Sequence, residues 1–153
     1  MPNDTLFEAL RIVVLVGLPG SGKSTYLEKL GVTPLSSDAV RLLLADDITD
    51  QTIHSRVFST LRYLVRQRLE IRRPVTYVDA THLTPRERRP YVKIAQKHGS
   101  RVEALFFDVP LEVCLARNRN RARVVPEEAM QAMAKKLVPP STAEGFSRVN
   151  VVR

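Results

Sequence analysis

Three stretches of this chain hold residues whose types and spacing suit chemistry. In the first, GLPGSGKST, Gly17, Gly22, Lys23 and Ser24 fill the four fixed positions of the pattern G-x-x-x-x-G-K-[ST]. The residue types follow from what a polyphosphate demands. Glycines let the backbone turn tightly, so that successive N–H groups point inward at the phosphates. Lys23 reaches the β- and γ-phosphates, and the Ser24 hydroxyl ligates Mg²⁺. Gly20, Ser21 and Thr25 belong to the same cradle, and a helix beginning there adds its N-terminal dipole. ATP and Mg²⁺ are the cofactors this loop predicts.

The second stretch, SSDAVR, places Asp38 three residues before Arg41. One reading is a helix start, with Ser36 or Ser37 as cap and Asp38 in the first turn. The other is an acceptor site. Asp38 would take the proton of an attacking hydroxyl, and Arg41 would hold an anionic group on the molecule that carries it. The two roles are compatible. The third stretch, ARNRNRARVVP, holds Arg117, Arg119, Arg121 and Arg123. Arg117 and Arg121 are four apart, so one helix face can aim both at the same phosphates. A mobile segment bearing them, about residues 117–126, would stabilise the charge of a moving phosphoryl group and exclude water. The plainer alternative is a solvated basic helix end. Magnesium needs a further carboxylate, bound directly or through water. Asp79, which ends VTYVD, is the first candidate and Asp108, which ends ALFFD, the fallback.

These residues need a scaffold, and the hydrophobic pattern supplies one. RIVVLV (residues 11–16) is a continuous β-branched run, as in a parallel strand buried on both faces. VTYVD (75–79) and RVEALFFDV (101–109) read the same way, PLS (34–36) as a short strand, and RVNVV as the last one. Between them lie helices: one from Ser24 that Gly31 stops, DAVRLLLA, and a long one from Thr52 to about Arg72. Its apolar residues Ile53, Val57, Leu61, Leu64, Val65 and Leu69 trace one face. Thr84 with Glu87 has capping-box spacing, and Pro85 stands at the first helical position. Pro110 and Pro126 open two more helices. Strands alternating with helices predict a three-layer α/β fold around a mostly parallel, five-stranded sheet.

Composition bounds the rest. The 153 residues predict one domain, 1–153, and the 44% apolar and 26% charged content is that of an ordinary globular protein. No apolar run approaches the roughly 18 residues of a transmembrane helix, and MPNDTLFEAL lacks the basic and apolar blocks of a signal peptide. Cys114 is the only cysteine, so no disulfide framework exists and the residue reads as a small buried hydrophobe. These features predict a cytoplasmic protein with no membrane partner. The net charge of +8 is uneven: residues 62–123 hold 15 basic and 6 acidic groups, mostly arginine on the basic side. Arginine's planar fork suits phosphate, so the excess points to a polyanion.

GLPGSGKST, SSDAVR, VDATHLTPRERRP and ARNRNRARVVP, in that order, resemble the polynucleotide 5′-kinase family of P-loop phosphotransferases. The likeness is greatest to the kinase module of bacterial RNA end-healing-and-sealing enzymes and to phage-type polynucleotide kinases, and it runs from about Arg11 to Val152. The resemblance implies a P-loop kinase fold and transfer of the ATP γ-phosphate to the 5′-OH end of RNA or DNA. Asp38 would be the general base, and Arg41 would contact the phosphate beside the terminal nucleoside. Lys23 and Ser24 would serve ATP·Mg²⁺, and Arg117 and Arg121 would be the lid arginines. It also implies RNA repair beside phosphatase or ligase modules. His82 stands where that pattern leads one to expect asparagine, and Arg119 and Arg123 receive no role. A kinase of a small hydroxyl compound and a non-catalytic nucleotide-binding module are the alternatives.

Overall fold

The computed structural model describes residues 10–153, and the stretch read as lacking a signal peptide lies outside it except for Leu10. Five strands, β1 (Arg11–Val16), β2 (Leu35–Ser36), β3 (Val75–Asp79), β4 (Arg101–Phe107) and β5 (Arg148–Val152), form one sheet in the order β2-β3-β1-β4-β5. Every neighbouring pair is parallel. The helices are α1 (Lys23–Leu30), α2 (Ser37–Ala45), α3 (His54–Glu70), α4 (Pro85–His98), α5 (Leu111–Asn118) and α6 (Glu127–Lys136). A 3₁₀ turn, Thr142–Glu144, interrupts the connector before β5.

The unbroken apolar run of β1 reflects its central place. Ile12, Val14 and Val16 face α3 and α4, packing with Val65, Leu69, Tyr91 and Ala95. Val13 and Leu15 face the other way, against Leu27 of α1. The i, i+4 spacing of Val57, Leu61, Val65 and Leu69 gives α3 one buried stripe. Each such side chain stabilises the fold by about 1.5–3 kcal/mol. Cys114 is fully buried among Leu18, Leu83, Val125 and Met130, as a small hydrophobe would be.

Two local readings shift. Thr84 caps α4 by accepting from the Glu87 N–H at 3.3 Å, but the Glu87 carboxylate bonds the Leu83 N–H, so the reciprocal half of the box is displaced by one residue. Helix α5 ends at Asn118, which leaves Arg121 beyond it. The single helix face expected for Arg117 and Arg121 therefore does not exist. No helix among the described residues is long and apolar enough to cross a membrane.

After β1 the chain runs to the edge strand β2, returns through β3 beside β1, then crosses to β4 on the other side of β1. In open α/β sheets, ligands bind outside the carboxyl ends of the strands at such a reversal. The glycine loop follows β1 at that point.

Candidate active site

The loop between β1 and α1 takes its shape from positive backbone angles. Gly20 and Gly22 sit at φ 81° and 100°, where side-chain-bearing residues are strained. A Cβ on Gly20 would also lie 2.6 Å from the Cys114 carbonyl oxygen of α5. Gly20→Ala is therefore expected to weaken nucleotide binding at least about tenfold, because either the loop or α5 must move. Titration with a fluorescent ATP analogue measures this. Gly22 caps α1 without a side-chain bond, leaving the helix's first amides to a ligand.

Lys23 donates to the carbonyls of Gly17 at 2.8 Å and Leu18 at 2.9 Å, which holds its ammonium over the loop. Burial lowers its pKa to about 8, Arg121 adds to that, and Asp79 and Asp38 oppose it. Asp79 is pushed up by burial, against the pull of Lys23. These four groups thus form one electrostatic unit. Asp79 pairs in register with Ser36, so the end of β3 and the start of α2 emerge side by side.

Asp38 lies in the first turn of α2, and Ser36 caps that helix by accepting from the Ala39 N–H at 3.3 Å. The cap falls to the serine, which leaves the Asp38 carboxylate facing two arginines. Arg123 Nη1 lies 2.7 Å from Asp38 Oδ1 and Arg41 Nη1 at 3.6 Å. Arg41 is only 4% exposed, its Nη2 lies 3.5 Å from His54 Nδ1, and its Nε has no partner among the described residues. Leaving a buried guanidinium N–H unbonded is costly, so a ligand oxygen is its natural complement. Arg123, which receives no role in the sequence pattern, thus makes the shorter of the two contacts to Asp38. Arg123 and Asp38 are 85 positions apart, and no local spacing signals such a contact.

The arginine segment divides. Arg117 is exposed beside the glycine loop, its Nη1 3.5 Å from the Gly20 carbonyl. Arg121 lines the cleft, with a buried Nη1 that has no partner among the described residues. Arg119 pairs with Glu127 at 3.0 Å on the surface and stays out of the site. Asn118 closes the loop at its base, donating to the Val125 carbonyl at 2.7 Å and accepting the Val125 N–H at 3.0 Å.

All these groups border one cleft of about 1250 Å³, beyond the roughly 300–1000 Å³ of a single-ligand pocket. Gly20 to Thr25, Asp79, Arg117 and Arg121 line it together with Asp38, Arg41, His54 and Phe58. Asp108, the fallback metal ligand, also lines the cleft and lies 3.5 Å from Arg153. The residues fit a nucleoside triphosphate with Mg²⁺. Free helix amides, a lysine and unbonded Arg121 and Ser21 groups suit phosphates, and one hydroxyl with one carboxylate suits a cation that keeps waters and phosphate oxygens. Seven Lys or Arg side chains face three Asp across the cleft.

His82 lies outside this cleft. It is fully buried at φ 47°, with Nδ1 2.6 Å from the Leu15 carbonyl and Nε2 3.4 Å from the Tyr91 hydroxyl. Burial lowers its pKa to about 4, so the neutral ring donates to Leu15 and accepts from Tyr91. It ties β1 to α4 just ahead of the glycine loop. Beside it, the fully buried Arg88 makes two 2.9 Å bonds to Glu144 and one of 2.8 Å to the His82 carbonyl. With its folded pKa below the unfolded value, His82 adds stability that is present above about pH 6.5 and is lost as pH falls toward 4. Asparagine tolerates positive φ and can still donate to Leu15. His82→Asn is expected to flatten that acid-side loss, read from urea midpoints at several pH values.

A parallel sheet with a glycine loop after its central strand, a lysine over that loop and a capless helix beyond it define an α/β nucleotide-binding protein of the P-loop kinase type. The chain belongs to the AAA domain family AAA_33, whose profile matches residues 12–140. An L-seryl-tRNA(Sec) kinase of Methanococcus maripaludis is 25% identical over 138 residues, covering 86% of this chain and 54% of the relative. The chain thus spans about half the length of that curated relative. Among solved structures, a Pnkp1/Rnl/Hen1 complex aligns with a TM-score of 0.62 and 24% identity over 76% of this chain and 40% of the other. A gluconokinase from Sinorhizobium meliloti aligns with a TM-score of 0.61 and 18% identity over 95% and 83%. These structural likenesses establish the fold, which serves kinases named for different acceptors.

Proposed function

We propose that the chain transfers the γ-phosphate of ATP to the 5′-hydroxyl of a polynucleotide. The observation that carries this reading is the pairing of Asp38 with the nearly buried, incompletely bonded Arg41 in the cleft lined by the glycine loop. A carboxylate that can accept a proton and a cation that can hold a phosphodiester are what a nucleic-acid end requires. The surplus of cations around the cleft fits the same acceptor.

In this reading the 5′ oxygen bonds to the γ-phosphorus as the bond to the β–γ bridging oxygen breaks, and ADP leaves. Asp38 takes the hydroxyl proton. Because Arg123 holds one Asp38 oxygen, the proton goes to the other, or Arg123 swings away with its loop. Lys23, Arg117 and Arg121 balance charge on the moving group. Ser24 and Asp79 would hold Mg²⁺, which neutralises the phosphate oxygens when bound.

Arg41→Ala is expected to raise the acceptor KM by about tenfold to a hundredfold and to leave the ATP KM nearly unchanged, from the loss of charge-assisted bonds. Steady-state kinetics with each substrate varied separately distinguish these effects. A small anionic hydroxy compound is the second reading, favoured by the 4% exposure of Arg41, since a compact acid group reaches such a site as well as a phosphodiester does. Comparing kcat/KM for a 5′-OH oligonucleotide, serylated tRNA and sugar acids tests the assignment. The oligonucleotide should lead, and preference for either of the others replaces it.

A further inference from the structure

Of the 15 basic residues between 62 and 123, only Arg117, Arg121 and Arg123 line the cleft. Most of the positive charge therefore lies elsewhere, and α4 organises much of it. Arg86, Arg89, Lys93 and Lys97 are all exposed, at spacings of three, four and four. They fall on one face opposite the buried Tyr91, Val92 and Ala95, along about 16 Å of helix. None makes a hydrogen bond or ion pair among the described residues. Four mutually repelling, unpartnered cations are an unfavourable arrangement for a helix on its own.

The stripe has a direction. Helix α4 begins just after β3 ends at Asp79, which lines the cleft, and α3 begins at His54, which lines it too. Both helices start at the edge of the sheet where the cleft opens and run back away from it. We infer that this ridge is a second, non-catalytic docking surface for the phosphodiester backbone of a nucleic acid whose 5′ end enters the cleft. The inference rests on the 5′-hydroxyl reading and deepens it, since it gives the acceptor a body beyond its terminal nucleotide. Backbone contacts of this kind position a substrate and read no sequence. The other exposed residues of α4 are Glu87 and Gln96, so its face has no apolar side chain to enter a lipid surface.

The test uses the full chain and a short 5′-phosphorylated RNA hairpin, which can bind but cannot accept phosphate. Arg86, Arg89, Lys93 and Lys97 are all changed to alanine, and circular dichroism checks the fold. Anisotropy should show hairpin binding weakened at least about tenfold and the salt slope reduced by about 3–4, near one per lost phosphate contact. Transfer to a 5′-OH dinucleotide should be unchanged. Absent hairpin binding in the wild-type chain, or equal affinity and slope in the variant, overturns the ridge. Polyglutamate or phosphatidylserine vesicles that displace the hairpin from the ridge as well as RNA does would overturn its assignment to nucleic acid. Ridge-dependent binding without transfer to any 5′-OH would leave the ridge standing and remove the kinase reading.

Discussion

Replacing Asp38 with asparagine is expected to cut phosphoryl transfer by about 10²–10⁴-fold while ATP still binds. The range is that of a positioned general base. Asparagine keeps the shape and can still accept from Arg123 and Arg41, so the fold is preserved while the proton acceptor is lost. Alanine is the harsher substitution. It strips Arg41 of its carboxylate partner, and a 4%-exposed guanidinium left unpaired costs stability as well as activity. If asparagine and alanine both lose transfer at unchanged ATP affinity, the base assignment holds. Transfer retained in Asp38→Asn would reduce Asp38 to an anchor for Arg123 and Arg41.

Lys23→Met is expected to cost about 10²–10³-fold in transfer, the scale of one preorganised donor to developing charge. It also carries a pH signature. The Lys23 pKa is lowered to about 8, chiefly by burial. Between about pH 8 and its ordinary value of 10.5, the unfolded chain binds a proton that the folded chain has released. Wild-type stability should therefore rise relative to Lys23→Met across that window, and below pH 8 the full penalty of the buried charge applies. A bound triphosphate favours the ammonium, so ATP affinity should fall as pH climbs past 8 in the wild type and stay flat in the variant. Urea midpoints and calorimetric titrations across the range measure both.

Much of the frame can be read from the chain because its causes are local. The apolar run of β1, the i, i+4 stripe of α3 and the glycine spacing of the loop each arise from a few neighbouring residues. What escapes has long-range causes. Arg123 meets Asp38 across 85 positions, and Arg88 meets Glu144 across 56. In the run of four arginines, the end of α5 at Asn118 leaves Arg121 and Arg123 in the loop that lines the cleft, and the two-way bond from Asn118 to Val125 closes that loop. His82 looks like a departure at an acceptor position, yet its ring is a pin between β1 and α4, visible only once Leu15 and Tyr91 are in place. The charge excess is plain in the sequence, but its division between cleft and ridge depends on which helix faces are buried.

The proposed reaction in this P-loop cleft is transfer of phosphate from ATP to a nucleic-acid 5′-hydroxyl. Its most direct test offers γ-labelled ATP and Mg²⁺ with a 5′-OH oligonucleotide and with the same strand already 5′-phosphorylated. The prediction is label at the 5′ end of the first strand alone, with one ADP formed for each strand labelled. Label on neither strand, or ADP formed without labelled strand, would contradict it.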